Sequence, residues 1–261
     1  MKISIMIQGQ IVKQDDVTVN CCKSIRKHFP YAEAILSTWR GQDVSGLDVD
    51  KIIFTSDPEP GYMNLRRQVV SSYNGVCAAS HDVVMKVRTD CIFTSNCVID
   101  HYGKYPNRVE RLKVFNERII VPNMQTIDPE NTVRHKMWHR CFNASDWMCL
   151  GQKSDLQHLY NLPASATNNH KVSPEQTLWV HAIWRKYPEV RLHRVRSTSP
   201  QLVAQTLLFF ANNLVVLNTK SMFGACVHKY AFQEDTWPQF MTYEKWVGHY
   251  DNLRKLELQY A

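Results

Sequence analysis

The chain has 261 residues, of which 44% are hydrophobic and 21% charged, with a net charge of +7 and an isoelectric point near 9.0. Such a chain can bury one large core or two small ones, which excludes wholesale disorder. The positive charge favours anionic partners (phosphates, acidic glycans, anionic lipid headgroups or nucleic acid) without choosing among them.

The first half alternates strands and helices. Residues 3–7 read as a buried strand that ends in Gln8 and Gly9, where Gly9 either admits a ligand or only makes the turn. Asp15 and Asp16 can cap a helix running to about residue 28. Residues 32–37 form a second strand, ending in Thr38-Trp39. Residues 51–55 form a third, ending in Ser56-Asp57-Pro58. A helix over 64–79 and a strand over 83–87 follow. This β-α-β-β-α-β rhythm predicts a mostly parallel sheet covered by helices. Residues 119–122 and 147–150 read as later strands. Ser173-Pro174-Glu175-Gln176 is a capping box that opens a helix to about residue 187. Further helices are expected over 200–211 and over the aromatic-rich 243–258. No linker separates the halves.

Eight cysteines are present, none in C-x-x-C or zinc-ligand pair spacing. The first residues are too short and too quickly polar for a signal peptide. Reduced, mostly buried thiols in a cytosolic protein are the expectation. The longest apolar stretch, 207–217, is interrupted by Asn212-Asn213 and is too short to span a bilayer.

Chemistry concentrates at predicted strand ends. Lys86-Val87-Arg88-Thr89-Asp90 follows the apolar run Val83-Val84-Met85 and places a basic pair and a carboxylate where ligands bind in open α/β sheets. Asp90 can hold a divalent cation, and the cation a diphosphate; a salt bridge capping the strand is the bland alternative. Asn64 and Arg67 fall in the first turn of the second helix. There Arg67 can contact a phosphate or fix a strand-end carboxylate such as Asp57. The polar stripe continues through Gln68 to Ser71, which is expected to face water, and the apolar stripe is Val69/Val70, Tyr73 and Val76/Cys77. Asp146-Trp147, before a strand, sets a carboxylate beside an aromatic face of the kind that stacks on sugars. At the second position of its helix Glu175 is expected to be held ionised by the helix dipole. His135 and His139 are spaced i, i+4, but Lys136 replaces the glutamate of a zinc-protease motif. P-loop, G-x-G-x-x-G and G-x-S-x-G motifs are absent, and no nucleic-acid-binding motif accompanies the basic charge.

Ile7-Gln8-Gly9, Phe29-Pro30, Leu36-Ser37-Thr38-Trp39, Asp57-Pro58, Asn64 with Arg66-Arg67-Gln68, Arg88-Thr89-Asp90, Asp146-Trp147 and Pro174-Glu175-Gln176 occur in order across nearly the whole chain. In this set the sequence resembles the WavE family of lipopolysaccharide-synthesis proteins. The resemblance implies a GT-A-like, Rossmann-like α/β fold that binds a nucleotide-sugar at its strand ends. It also implies a single glycosyltransferase domain over 1–261, with a nucleotide-sugar-binding half (1–125) and an acceptor-side half with a C-terminal helical extension (126–261). One departure concerns the metal site. GT-A enzymes usually carry Asp-x-Asp, and here Arg88 replaces the first aspartate. Either Asp90 alone anchors a Mn²⁺ or Mg²⁺ ion, or Arg88 partly takes its place on the diphosphate.

The resulting expectation is a cytoplasmic glycosyltransferase, peripheral to the inner face of the membrane if its positive charge meets anionic lipid. It would move a sugar from a nucleotide-sugar to a lipopolysaccharide, capsule or related glycan or glycolipid, inverting ranked ahead of retaining. Gln8, Gly9, Trp39, Asp57, Asn64, Arg67, Arg88 and Asp90 are the expected donor residues. Asp146 and Glu175 are the candidate bases, with Asp146 ranked first, and Trp147 is an acceptor wall. No nucleic-acid partner is expected. A nucleotidyltransferase would show a glycine-rich loop after the first strand and ranks lower, as does a non-catalytic glycan-binding module.

Overall fold

Ser4–Gln8 (β1) is buried at every residue, as a strand covered on both faces must be. In a computed structural model, which describes residues 1–131, 141–168, 172–188, 199–228, 237–253, 255 and 258, β1 is the third strand of a seven-stranded sheet. His135 and His139 lie outside the described residues. After β1 come helix Val17–His28 (α1), strands Glu33–Trp39 (β2) and Lys51–Thr55 (β3), helix Leu65–Ala78 (α2) and strands Val83–Arg88 (β4) and Cys91–Phe93 (β5). Then follow Ile119–Pro122 (β6), Cys149–Gln152 (β7), helices Lys153–Tyr160 (α3), Pro174–Lys186 (α4) and Pro200–Asn213 (α5), strands Leu214–Leu217 (β8) and Ala225–Val227 (β9), and helix Tyr243–Asp251 (α6).

The strand order is β3-β2-β1-β4-β7-β6-β8, with β5 and β9 forming a separate pair. The seven strands run parallel except β7, which is antiparallel to both β4 and β6. Two consequences position the site. Strand order reverses at β1/β4, since β2 and β3 lie to one side of β1 and β4 to the other; ligands of open sheets bind at such a switch point. Because β7 is reversed, the segment before it emerges at the same sheet edge as the ends of β1, β4 and β6. Lys86 pairs with Cys149, so Asp146 and Trp147 reach the level of Arg88.

One apolar cluster holds the sheet and helices together. It runs from Ile5 and Leu36 through Met85 and Leu150 to Val216, Phe223 and Trp246. Burying each such side chain stabilises the fold by about 1.5–3 kcal/mol. Helix α2 lies directly on β1 and β2 at Gly75, where a Cβ would come within 2.4 Å of Met6. Its buried face is Leu65, Val69, Ser71, Ser72 and Val76, whereas Cys77 is exposed. Ser71 does not face water as expected. It is fully buried, and its hydroxyl donates to the carbonyl of Arg67 at 2.7 Å. Helix packing against the sheet places it, and the hydrogen bond to its own helix makes burial tolerable.

The expected cap of α1 also differs. Asp16 occupies the N-cap position with a left-handed φ of 52°, and its side chain makes no capping bond. An N-cap oxygen reaches the first helical amides from extended backbone, which Asp16 does not have. The capping box of α4 is present: Ser173 Oγ accepts from Gln176 N, and Gln176 Oε1 accepts from Ser173 N. Six of the eight cysteines are buried. No helix among the described residues is long and apolar enough to cross a membrane.

Candidate functional site

A cleft of about 740 Å³ opens at the β1/β4 switch point. All but one of the donor-side expectations converge there: Gln8 and Gly9 from the end of β1, Trp39 from the end of β2, Asn64 and Arg67 from the start of α2, Arg88 from the end of β4 and Asp90 just beyond it. Asp146, Trp147 and Glu175 complete it from the far side. Of the expected donor, base and acceptor residues, Asp57 alone is not part of the lining. Its carboxylate accepts from Arg67 Nε at 2.8 Å and from Nη2 at 2.5 Å. That bond holds the Asp57 carboxyl below its ordinary range. Arg67 therefore fixes a strand-end carboxylate, the second of the two uses open to it.

The turn after β1 requires glycine. Gly9 has φ +126°, a region side chains avoid, and its N–H donates to Ser37 O at 3.1 Å. Thr89 N–H donates to Gln8 O at 3.1 Å, and Thr89 Oγ1 donates to Gln10 O at 2.7 Å. The two strand ends at the switch point are thus tied together.

Arg88 donates to both oxygens of Asp90, at 2.9 and 2.7 Å. Its guanidinium also lies over the Trp147 ring, 5.1 Å from the centroid, so that face of Trp147 is covered by a cation and not open to a sugar. A guanidinium has five N–H donors. Two serve Asp90, which leaves three for a ligand. Among the described residues no group of three His, Cys, Asp or Glu side chains is placed to hold a metal ion. Asp90 lines the cleft beside Arg88.

Beneath the floor, Lys86 is fully buried. Its ammonium donates to Asp146 O at 2.5 Å and lies 5.9 Å from the centroid of the Tyr160 ring. Burial pushes its pKa down, against the pull of Asp146. Gln68 Nε2 donates to Asp146 Oδ2 at 2.7 Å. Asp146 is thus gripped by backbone and by one carboxylate oxygen. Its other oxygen, Oδ1, is buried without a hydrogen-bond partner among the described residues.

Glu175 departs from expectation. Its pKa is raised to about 8, first by burial and then by the negative charge of Asp146. The dipole of α4 loses to desolvation, since a macrodipole contributes at most about 2 kcal/mol whereas burying a carboxylate shifts its pKa by several units. The shift favours the protonated carboxyl, a form that can donate a hydrogen bond.

Sequence reasoning missed Gln68, Gln125 and Asn143, which also line the cleft. For Gln68 the signal was its place in the polar stripe of α2, one residue from Arg67. Gln125 and Asn143 lie in loops whose juxtaposition only the sheet order creates. Asn143 Nδ2 donates to Gln125 O at 2.9 Å, and Ser173 Oγ donates to Asn143 Oδ1 at 2.7 Å. This joins the loop after β6 to the start of α4.

No curated protein matches the chain. A family profile described as WavE lipopolysaccharide synthesis matches residues 3–259. With that match over nearly the whole length, the chain belongs to the WavE lipopolysaccharide synthesis family.

Proposed function

We propose that the protein is a glycosyltransferase with a GT-A-like fold that moves a sugar from a nucleotide-sugar to a lipopolysaccharide, capsule or related surface glycan. The observation that carries this reading is one cleft at the switch point holding a guanidinium with spare donors, Arg88, and a clamped carboxylate with an unpaired oxygen, Asp146. Those are the two groups a displacement at an anomeric carbon needs. The acceptor hydroxyl forms a bond to that carbon as the bond to the diphosphate breaks. Its proton passes to the Asp146 carboxylate, while Arg88 stabilises the charge on the departing nucleoside diphosphate. Attack from the side opposite the leaving group inverts the configuration. Asp146 is ranked ahead of Glu175 because the upward shift of Glu175 favours the form that has a proton to give and not to take. The net charge of +7 supports contact with an anionic membrane surface, where a glycolipid acceptor would lie.

The cleft's guanidiniums are already matched by carboxylates, Arg88 by Asp90 and Arg67 by Asp57. A diphosphate would therefore bring uncompensated negative charge. A divalent cation fits this balance if the diphosphate supplies most of its ligands and Asp90 one, the usual division at Mg²⁺ sites. When bound, the cation would neutralise the diphosphate, and Asp90 would leave Arg88 more donors for the phosphate oxygens.

Thermal shift with nucleoside diphosphates and nucleotide-sugars, each with and without Mn²⁺, tests the proposal. Mn²⁺ alone should not stabilise the protein. A matching nucleoside diphosphate with Mn²⁺ at about 100 times its Kd should add roughly 2.7 kcal/mol. Equal binding in EDTA would remove the cation and leave the phosphates to Arg88. No stabilisation by any nucleoside diphosphate, with or without metal, would sink the transferase reading. Slow hydrolysis of the donor without acceptor separates a transferase from a glycan-binding module.

A further inference from the structure

The two edges of the seven-stranded sheet differ. At one, β8 is buried at every residue. At the other, Ile52 and Phe54 of β3 are 37% and 40% exposed. Among the described residues no strand pairs with the outer side of β3. Exposed edges are ordinarily blunted by proline, a bulge or charge. Lys51–Thr55 contains no proline. Its one charged side chain, Lys51, turns back into the molecule. The ammonium donates to Ala78 O at 3.3 Å and to Ser80 Oγ at 2.6 Å, and it pairs with Glu33 at 2.6 Å.

Arg40 N–H donates to Thr55 O at 2.9 Å, so Thr55 points its backbone groups at β2. Alternation along the strand then turns those of Lys51 and Ile53 toward β2 and those of Ile52 and Phe54 outward. Ile52 and Phe54 also place their side chains on one face of the sheet. It is the face away from α2, since Lys51 reaches the end of α2 from the other. A single exposed apolar residue is ordinary. Here two of them coincide with the residues whose backbone groups form an open ladder.

We infer that β3 pairs with β3 of a second copy of this chain, antiparallel about a two-fold axis at Ile53. A second copy fits because the edge is self-complementary. In that register Ile52 lies opposite Phe54 of the second copy, and Phe54 opposite Ile52 of the second copy. These are the outward-pointing residues, so each pair exchanges N–H and C=O hydrogen bonds. A β-branched side chain then packs on an aromatic ring, a favourable cross-strand pair. Lys51 falls opposite Thr55 and Asp50 opposite Ser56, so no like charges meet. A two-fold contact closes on itself and stops at the dimer. Antiparallel pairing turns the second copy end for end, so the clefts open at opposite edges of the joined sheet and neither covers the other. This contact is independent of the glycosyltransferase reading. Because the ladder is short, the dimer belongs with small, transient interfaces, with a dissociation constant on the order of 10–100 µM.

Sedimentation of the full chain from about 5 to about 500 µM, which brackets that range, tests the pairing. The 30.4 kDa chain should shift toward a species of twice its mass, and the amides of Ile52 and Phe54 should exchange more slowly at the high end. Ile52→Lys/Phe54→Lys sets like charges opposite each other and should weaken association at least about tenfold. The melting temperature of dilute protein should stay within a few degrees of wild type. Ile52→Lys/Phe54→Glu sets opposite charges together in this register and should associate more tightly than the double-lysine variant. Ile52→Thr/Phe54→Thr, expected to weaken association by removing the apolar pair, repeats the test should the lysine variants misfold. A wild type that stays monomeric throughout overturns the inference. So does a dimer that the double-lysine or double-threonine variant leaves intact, which puts the interface elsewhere. An opposite-charge variant no tighter than the double-lysine one overturns the register and the pairing with it.

Discussion

The cleft and the seam beneath the C-terminal helix are made of the same materials, buried cations and side-chain amides, and differ in how fully they are paired. At the seam, Arg118 donates to the carbonyls of Tyr105, Asn107 and Ala211 and lies 5.0 Å from the centroid of the Tyr250 ring. Asn212 Oδ1 accepts from Val109 N at 2.7 Å, and Asn213 Oδ1 from Val114 N at 2.7 Å. These polar groups fasten α5 and α6 to the segment before β6. At the cleft, Lys86 and Gln68 are paired in the same way, yet Asp146 Oδ1 and Gln125 Oε1 are not. A saturated polar network fastens structure, whereas the cleft residues leave part of their hydrogen-bonding capacity unused.

The comparison breaks most visibly at the seam. Arg118→Met strands several buried carbonyls and should destabilise by about 3 kcal/mol. In a chain of this size that is a fall of roughly 6–12 °C in melting temperature. Nucleoside diphosphate affinity should hold. A variant that melts like wild type but loses nucleotide would mean the seam belongs to the site.

At the cleft the effects reverse. Asp146→Asn keeps an oxygen for Gln68 and should change the melting temperature by no more than a few degrees, while turnover falls about 10²-fold or more. Donor binding should persist. Normal turnover in this variant would discard Asp146 as the base. If Glu175→Gln were inactive at the same time, the two roles would be exchanged.

The most gradual effect sharpens the comparison through pH. Between pH 4.5 and about 8, folded Glu175 keeps a proton that the unfolded chain has released. The native state then binds more protons than the unfolded one, so stability falls as pH rises through this window. The slope from this group is at most about 1.4 kcal/mol per pH unit. Glu175→Gln should flatten the melting-temperature profile there. An unchanged profile would show that Glu175 titrates normally.

Much of the fold was legible because its periodicities are local. The strands at 51–55 and 119–122 appear with their expected bounds, since a short apolar run flanked by polar or turn residues admits few readings. The α4 capping box was legible because four consecutive residues specify it. The three-residue strands β5 and β9 are too short to show a pattern. Helix α3 starts directly after β7, and β8 directly after α5, with no loop to mark either junction. In the site, Arg88, Asp90 and Asp146 were legible as polar residues at strand ends. Gln125 was not, because nothing in its neighbours distinguishes it from a loop glutamine.

The sequence by itself determined the α/β rhythm, the polar residues at the strand ends and the family, because each is written in adjacent residues or in motifs of fixed order. Only the tertiary structure decided that β7 runs backwards, which brings Asp146 to the edge where Arg88 emerges. It also decided that burial pushes the Glu175 pKa up rather than down, that Arg67 serves Asp57, and that Asp146 Oδ1 and Gln125 Oε1 have no hydrogen-bond partner among the described residues. The physical reason is the same in each case. Desolvation and hydrogen-bond pairing depend on which segments pack together, and packing joins residues as far apart as Gln68 and Asp146.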